Sequence, residues 1–222
     1  MTSWESTETA ALRNAGKSLK SVDSLLKYVS DTRGQPSASE RALFAAAVVF
    51  LYGIWENYCE QLAIELGTRV ANKCDPKDVP RDVRALLEKH SAWELSVHPG
   101  WRHLWSEEIK STAVGDGDQK FGLNTAKMGQ VSRMLKLVGI HEPFENIPFD
   151  IVPSHLRGAD SNCSSAADAI DKLVELRGTI VHTGSVPDTL RKQHVREWRK
   201  FVEDITSKLD SECRKQCKNL VV

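Results

Sequence analysis

The sequence predicts an all-α protein, a helical bundle, and three observations carry that prediction. Apolar residues recur at three- and four-residue spacing through most of the chain, which is the period of one helix face. Clusters of glycine and proline interrupt that pattern at intervals, as loops between helices do. No run alternates apolar and polar residues in the manner of a half-buried strand, and there is no internal repeat or low-complexity tail. A hydrophobic content of 41% and a charged content of 27% supply a core and argue against wholesale disorder. The 222 residues fit one helical domain, 1–222, with an N-terminal helix within 1–31 and a core spanning 38–210.

Each element has its own reason. Leu12, Leu19, Val22, Leu25, Leu26 and Val29 are spaced for a helix over 3–30, which DTRGQPSAS then breaks. Ser37 with Glu40 three residues on forms a capping-box pattern, opening a second helix that runs to about Lys73. CDPKDVPRD, with two prolines, is a loop, and VRALLEKHSAWEL (83–95) a shorter helix. The span 96–123, with HPG, GDG and FG, reads as irregular apart from a helical piece around Trp105 to Lys110. NTAKMGQVSRMLKLVG (124–139) places Val131, Met134, Leu135 and Val138 on one face, with Gly139 as the stop. IHEPFENIPFDIVP carries three prolines and must be loop. A helix from about Ser164 bears Ala167, Ile170, Leu173, Val174, Ile180 and Val181, and after GSVP a last helix covers about Asp188 to Lys218.

Composition excludes several classes. Basic and acidic residues number 30 each, so any nucleic-acid surface must be a local patch. The five cysteines are odd in number and contain no CxxC pair, which argues against a disulfide framework. The opening MTSWESTETA is polar and acidic, unlike a signal or transit peptide, and a cytoplasmic protein with reduced thiols is expected. The stretch Ala42 to Trp55 is apolar throughout but shorter than the roughly 18–20 residues that cross a bilayer. It reads as a central bundle helix, or one that also buries a face against a partner subunit, and no membrane partner is expected.

The constellations with chemical potential are few. WELSVHPGWRHLW gathers Trp93, Trp101 and Trp105 with His98 and His103 around Arg102; such aromatics can stack on bases, or pin a loop through buried indoles, and the second reading is preferred. Cys213 and Cys217 lie one helical turn apart, but nothing completes a tetrahedron, so no metal site is expected. No phosphate-binding glycine loop, G-x-S-x-G or H-E-x-x-H is present, and no cofactor is expected. The remaining candidate is Arg177 with His182, in ELRGTIVHTG. With fourteen arginines and seven histidines, such spacing arises by chance about once, and Arg84 with His90 supplies a second case. The setting distinguishes the first pair. It ends a long helix, a Gly–Pro turn follows, and then comes the basic segment RKQHVREWRK. There Lys192, Arg196 and Arg199 share one helix side, opposite Val195, Trp198, Val202, Ile205 and Leu209. A cationic stripe beside a His/Arg pair suits a phosphodiester.

Three segments resemble the HEPN superfamily, nearest its RiboL-PSP-HEPN subgroup: AAAVVFLYGIWENYCEQLAIEL with its W-E-x-Y pattern, LNTAKMGQVSRMLKLVGI, and LVELRGTIVHTG with the R-x4-6-H signature. The resemblance implies a helical bundle paired as a two-fold dimer and a metal-independent endoribonuclease of toxin or phage-defence type. Arg177 and His182 would be its catalytic residues, and the basic stripe of Lys192, Arg196 and Arg199, read from its charge pattern, supplies the candidate RNA contacts. The implied partners are an RNA substrate, a second copy, and an antitoxin or defence-system protein. Helix geometry suits a dimer: five residues turn about 500°, so Arg177 and His182 leave one helix roughly 140° apart and about 7.5 Å along it. Two copies about a dyad can bring both kinds of group to one cleft. Two features depart from the family pattern. Gly178 stands where a polar residue is usual, and Gly184 occupies the position of a regulatory tyrosine, which argues against a nucleotidyltransferase-type antitoxin. The alternatives are a catalytically inactive HEPN-like binding or dimerisation module, and a helical scaffold without an RNA role. A purely structural reading of the pair has Arg177 capping the last carbonyls of its own helix or pairing with neighbours of Glu175, and His182 sitting against the helix end, which favours a cation.

Overall fold

The computed structural model describes residues 7–31, 34–96, 100–116, 122–158 and 162–221. The protein is all-α: eight α-helices and three short 3-10 turns, and no strand among the described residues. Two compact units divide the chain, each assembled from separate stretches of sequence.

The unit formed by 13–58 and 147–208 contains most of α1 (Ala10–Leu26), the first part of α2 (Ala38–Lys73), α7 (Ala166–Thr183) and the start of α8 (Lys192–Asn219). α2 starts as its capping box requires. The Ser37 hydroxyl accepts from the Glu40 amide, while the Glu40 carboxylate accepts from the Ser37 amide at 2.8 Å and the Ser30 amide at 2.9 Å. These bonds, the Ser37 amide's first, hold the Glu40 carboxyl below its ordinary range. α7 is capped by Ser165, whose hydroxyl accepts from the Asp168 amide. The core side chains here include Leu19, Val22, Phe44, Leu51, Trp55, Ile170, Leu173, Trp198 and Phe201, all 1% exposed or less except Trp198 at 2%. The Tyr58 hydroxyl donates to the Thr206 carbonyl at 2.8 Å, so its single polar atom is satisfied.

The unit formed by 1–12, 59–146 and 209–222 contains the rest of α2, α3 (Arg81–Leu87), α4 (Ala92–Ser96), α5 (Gly100–Val114), α6 (Met128–Lys136) and the end of α8. Trp105 is buried and its indole donates to the Leu137 carbonyl at 2.6 Å, joining α5 to the turn after α6. Gly67 lies so close to Ile109 that a Cβ there would strike the isoleucine side chain. α6 ends in a Schellman arrangement, with Gly139 at φ +90° and the Ile140 amide bonded to the Leu135 carbonyl.

Several boundaries differ from the sequence expectation. The first helix begins at Ala10, where the Thr9 hydroxyl caps the Leu12 amide, and the expected start at residue 3 lies outside the described residues. The single helix expected over 83–95 is two, α3 and α4, separated by a turn at 88–91; α3 begins earlier, straight after Pro80. The span read as irregular is mostly α5, fifteen residues long, with Trp105, Ile109 and Ala113 buried at successive four-residue steps. α6 begins at Met128 instead of 124, and α8 at Lys192 instead of Asp188.

Candidate functional site

α7 stops where the sequence tells it to. Gly184 adopts the left-handed conformation at φ 69°, and its amide bonds to the Ile180 carbonyl. The turn beyond is held from α2: the Arg41 guanidinium donates to the Val186 carbonyl at 2.8 Å and pairs with Asp188 at 2.6 Å. His182 occupies the last helical turn, exposed, with no hydrogen bond or ion pair to a described residue.

Arg177, five residues earlier, is half-buried. Its Cζ lies 4.9 Å from the centre of the Tyr52 ring, on α2. Its Nε is buried without a hydrogen-bond partner, and no described carboxylate lies within ion-pairing distance of the side chain. Tyr52 is buried to 3%, and its hydroxyl donates to Glu56 Oε1 at 2.5 Å. Arg177 therefore does not cap its own helix. An aromatic face attracts a guanidinium without consuming its N–H donors, so the charge stays available to an anion. Nothing in the sequence singles out Tyr52 beyond its place one turn before Glu56 in the apolar helix.

The two helices that carry Tyr52 and Arg177 also expose apolar residues. α2 exposes Ala42, Ala46, Val49, Phe50 and Gly53, with Phe50 at 43%, and α7 exposes Val181 at 49%. By length and composition α2 is long and apolar enough to cross a membrane, and half of its most apolar window is buried inside the protein. A Cβ added at Gly53 or Gly178 would meet nothing within 4 Å. Both glycines therefore face open space and not a neighbouring helix of the same chain.

The basic stripe on α8 is built differently from Arg177. Lys192 pairs with Asp31 at 2.8 Å and also donates to the Val29 carbonyl; Arg196 pairs with the same Asp31 at 3.2 Å. The hydrogen bond from Lys192 leads in holding the Asp31 carboxyl below its usual range. Arg199 clasps Asp23 through Nε at 2.9 Å and Nη2 at 3.0 Å, and reaches Glu203 at 2.5 Å. All three cations thus lie on one helix side as expected, and each has an acid against it. A cleft of about 430 Å³ beside them is lined by Val29, Asp31, Glu40, Lys192 and Arg196, with both signs of charge on its walls.

A second cluster on α8 involves histidines. His155 Nδ1 lies 2.9 Å from Glu197 Oε2, and the His155 and His194 rings are 4.5 Å apart, centre to centre. Burial alone would raise the Glu197 carboxyl, but hydrogen bonds from His155, Ser154 and Gln193 outweigh it and hold the group down at about 2. Burial, and then the neighbouring His155, push His194 below its ordinary value.

Trp105 is the buried pin already described, while Trp93 is 74% exposed and Arg102 rests over the Trp101 ring at 4.3 Å. His103 is exposed, and His98 lies outside the described residues. Cys213 and Cys217 are fully buried, and burial raises both thiols, Cys217 to about 12. Among the described residues no three histidine, cysteine or acidic side chains are placed to hold a metal ion.

The family profile for RiboL-PSP-HEPN matches residues 16–215. This chain belongs to that family. The match covers all three resembling segments and includes Tyr52, Arg177 and His182. Two fungal proteins named Restriction of telomere capping protein 5, from Trichophyton verrucosum (strain HKI 0517) and Arthroderma benhamiae (strain ATCC MYA-4681 / CBS 112371), are each 37% identical over 90 residues. That stretch is 39% of this chain and 13% of each relative, so the similarity spans about an eighth of the relatives' length. No solved structure matches the chain.

Proposed function

We propose that this HEPN protein is a metal-independent endoribonuclease that works as a two-fold dimer in a toxin or phage-defence setting. The observation that carries the reading is the state of Arg177: half-buried, resting on Tyr52, and free of any described acid, whereas Lys192, Arg196 and Arg199 are each paired. A cation kept uncompensated beside an exposed apolar face suits a phosphodiester brought to that face. The second copy is the natural cover for Val49, Phe50, Gly53 and Val181, since glycines that face open space let two helices approach closely. Pairing there would draw two Arg177 and two His182 side chains toward one cleft.

The chemistry then follows from the groups. One imidazole takes the proton of a 2′-hydroxyl as its oxygen attacks the adjacent phosphorus. The P–O5′ bond breaks, and a protonated imidazole returns a proton to the leaving 5′-oxygen. The products are a 2′,3′-cyclic phosphate and a 5′-hydroxyl. Arg177, planar and always charged, steadies the extra negative charge on the pentacoordinate phosphorus. Lys192, Arg196 and Arg199 can serve as RNA contacts only in competition with Asp31, Asp23 and Glu203, so their contribution to affinity is the smaller one.

The test is incubation with structured RNA in EDTA, beside Arg177→Ala and His182→Ala. Cleavage by the wild type alone, leaving cyclic phosphate ends, supports the reading. Dimerisation and RNA binding without cleavage would favour the inactive binding-module alternative. A monomer that associates with lipid vesicles would instead assign the apolar face of α2 to a membrane.

A further inference from the structure

We infer that Tyr52 is the positioning residue of the site, holding the Arg177 guanidinium ready for an anionic phosphate, with Glu56 fixing the tyrosine in turn. The inference rests on the anion role proposed above for Arg177. A solvent-facing arginine samples many rotamers, and an arginine in an ion pair must give up its acid before it takes a phosphate. Arg177 does neither. Its Cζ stands 4.9 Å from the Tyr52 ring centre, and its Nε is buried with nothing to accept its proton. An orphaned buried donor is costly to keep, so something else must hold the group in place. The Tyr52 ring lies against the guanidinium, and among the described residues no hydrogen bond or ion pair competes with it. Since its terminal nitrogens are neither buried orphans nor bonded to a described residue, they are open to a ligand.

The platform is itself anchored. Tyr52 is 3% exposed, and its hydroxyl donates to Glu56 Oε1 one helical turn along α2. That bond occupies the nearby carboxylate with the phenol, and no Arg177–Glu56 ion pair forms. The sequence meaning of the pattern is concrete: a tyrosine and a glutamate four apart on α2 prepare an arginine on α7, and the glutamate belongs to the W-E-x-Y segment.

The test reads position separately from cleavage. In 15N-labelled protein, the Arg177 Nε–Hε resonance, assigned by its loss in Arg177→Lys, should carry an upfield ring-current shift in the wild type and in Tyr52→Phe. Tyr52→Leu keeps an apolar side chain in the core but should lose that shift. Its response to added inorganic phosphate should weaken about tenfold, while Tyr52→Phe, which keeps the ring and loses only the Glu56 anchor, weakens by no more than about threefold, as expected for the loss or retention of a cation–π contact. Far-UV circular dichroism confirms that each variant is folded. A wild type without the ring shift or without a phosphate response overturns the inference, as does a Tyr52→Leu variant that responds to phosphate as the wild type does. If the platform results hold and no RNA is cut, the positioning role stands and the ribonuclease reading falls.

Discussion

Gly178→Ala separates the fold from the assembly because its two expected effects have opposite signs. Gly178 lies inside α7, twelve residues after Ala166, at a helical φ, and a Cβ there meets nothing within 4 Å. Within one chain the substitution therefore adds helix propensity and no clash, worth about 0.5–1 kcal/mol. For a chain of this size that corresponds to a rise in Tm of about 1–4 °C. In a dimer that packs helices across this point, the same methyl group intrudes on the close approach and weakens association. Urea unfolding followed by circular dichroism at low and high protein concentration, with sedimentation velocity alongside, reads both effects. The expected outcome is greater stability in dilute solution and a higher dissociation constant, with Gly53→Ala behaving alike. A loss of stability at the lowest concentration would mean that the methyl group strikes something within the fold, and unchanged dissociation would remove Gly178 from the interface.

Further outcomes follow from the electrostatics and the core. A double-mutant cycle with Arg199→Met and Asp23→Asn, read by urea unfolding, should give a coupling of about 1 kcal/mol, the upper range for a partly exposed but bidentate pair; zero coupling would make the clasp decorative. Glu197 titrates at about 2 in the folded chain, below the ordinary 4.5, so its contribution is complete above the unfolded value and is lost as pH falls from there toward 2. Glu197→Gln should therefore flatten the decline in stability between pH 5 and roughly pH 2, measured by urea titration at each pH, and an identical decline would exclude this carboxylate. Iodoacetamide at neutral pH should leave Cys213 and Cys217 unlabelled until the chain unfolds, since burial raises both thiols, whereas part-exposed Cys163 should react first. Early modification of Cys217 in native protein, located by peptide mass analysis, would contradict its placement.

The parts of the fold that could be read in advance are those written in local chemistry. The Ser37–Glu40 box, the Gly139 stop and the Gly184 stop each act over a few residues, and each stands where the sequence places it. α5 was hidden because HPG before it and GDG after it look like breakers on both sides, although Trp105, Ile109 and Ala113 at four-residue steps were the available signal. The split between α3 and α4 is marked in the sequence only by Ser91 with Glu94 three residues on, a capping-box spacing like that of Ser37 and Glu40, since Glu88, Lys89 and His90 are all acceptable in a helix. At the candidate site, the spacing of Arg177 and His182 singles out a helix end but says nothing of their surroundings. Glu203 stands four residues from Arg199, a local spacing, but Asp31 against Arg196 and Asp23 against Arg199 lie 165 and 176 residues away in sequence, and Tyr52 is comparably remote from Arg177. Such partnerships belong to tertiary packing, which no local pattern records.

The clamp between Arg41 and the turn after α7 bears on how His182 tolerates change elsewhere. The final turn of a helix ordinarily opens and closes faster than a microsecond, and a side chain there inherits that motion. Here the carbonyl of Val186 and the carboxylate of Asp188 are tethered to the first turn of α2, which damps the opening. Substitutions at Arg41 or Asp188, neither of which touches the histidine, would then appear in hydrogen exchange as faster opening of the amides around Ile180 and Gly184. Genetic screens would register them as partial losses of function at positions with no chemistry of their own.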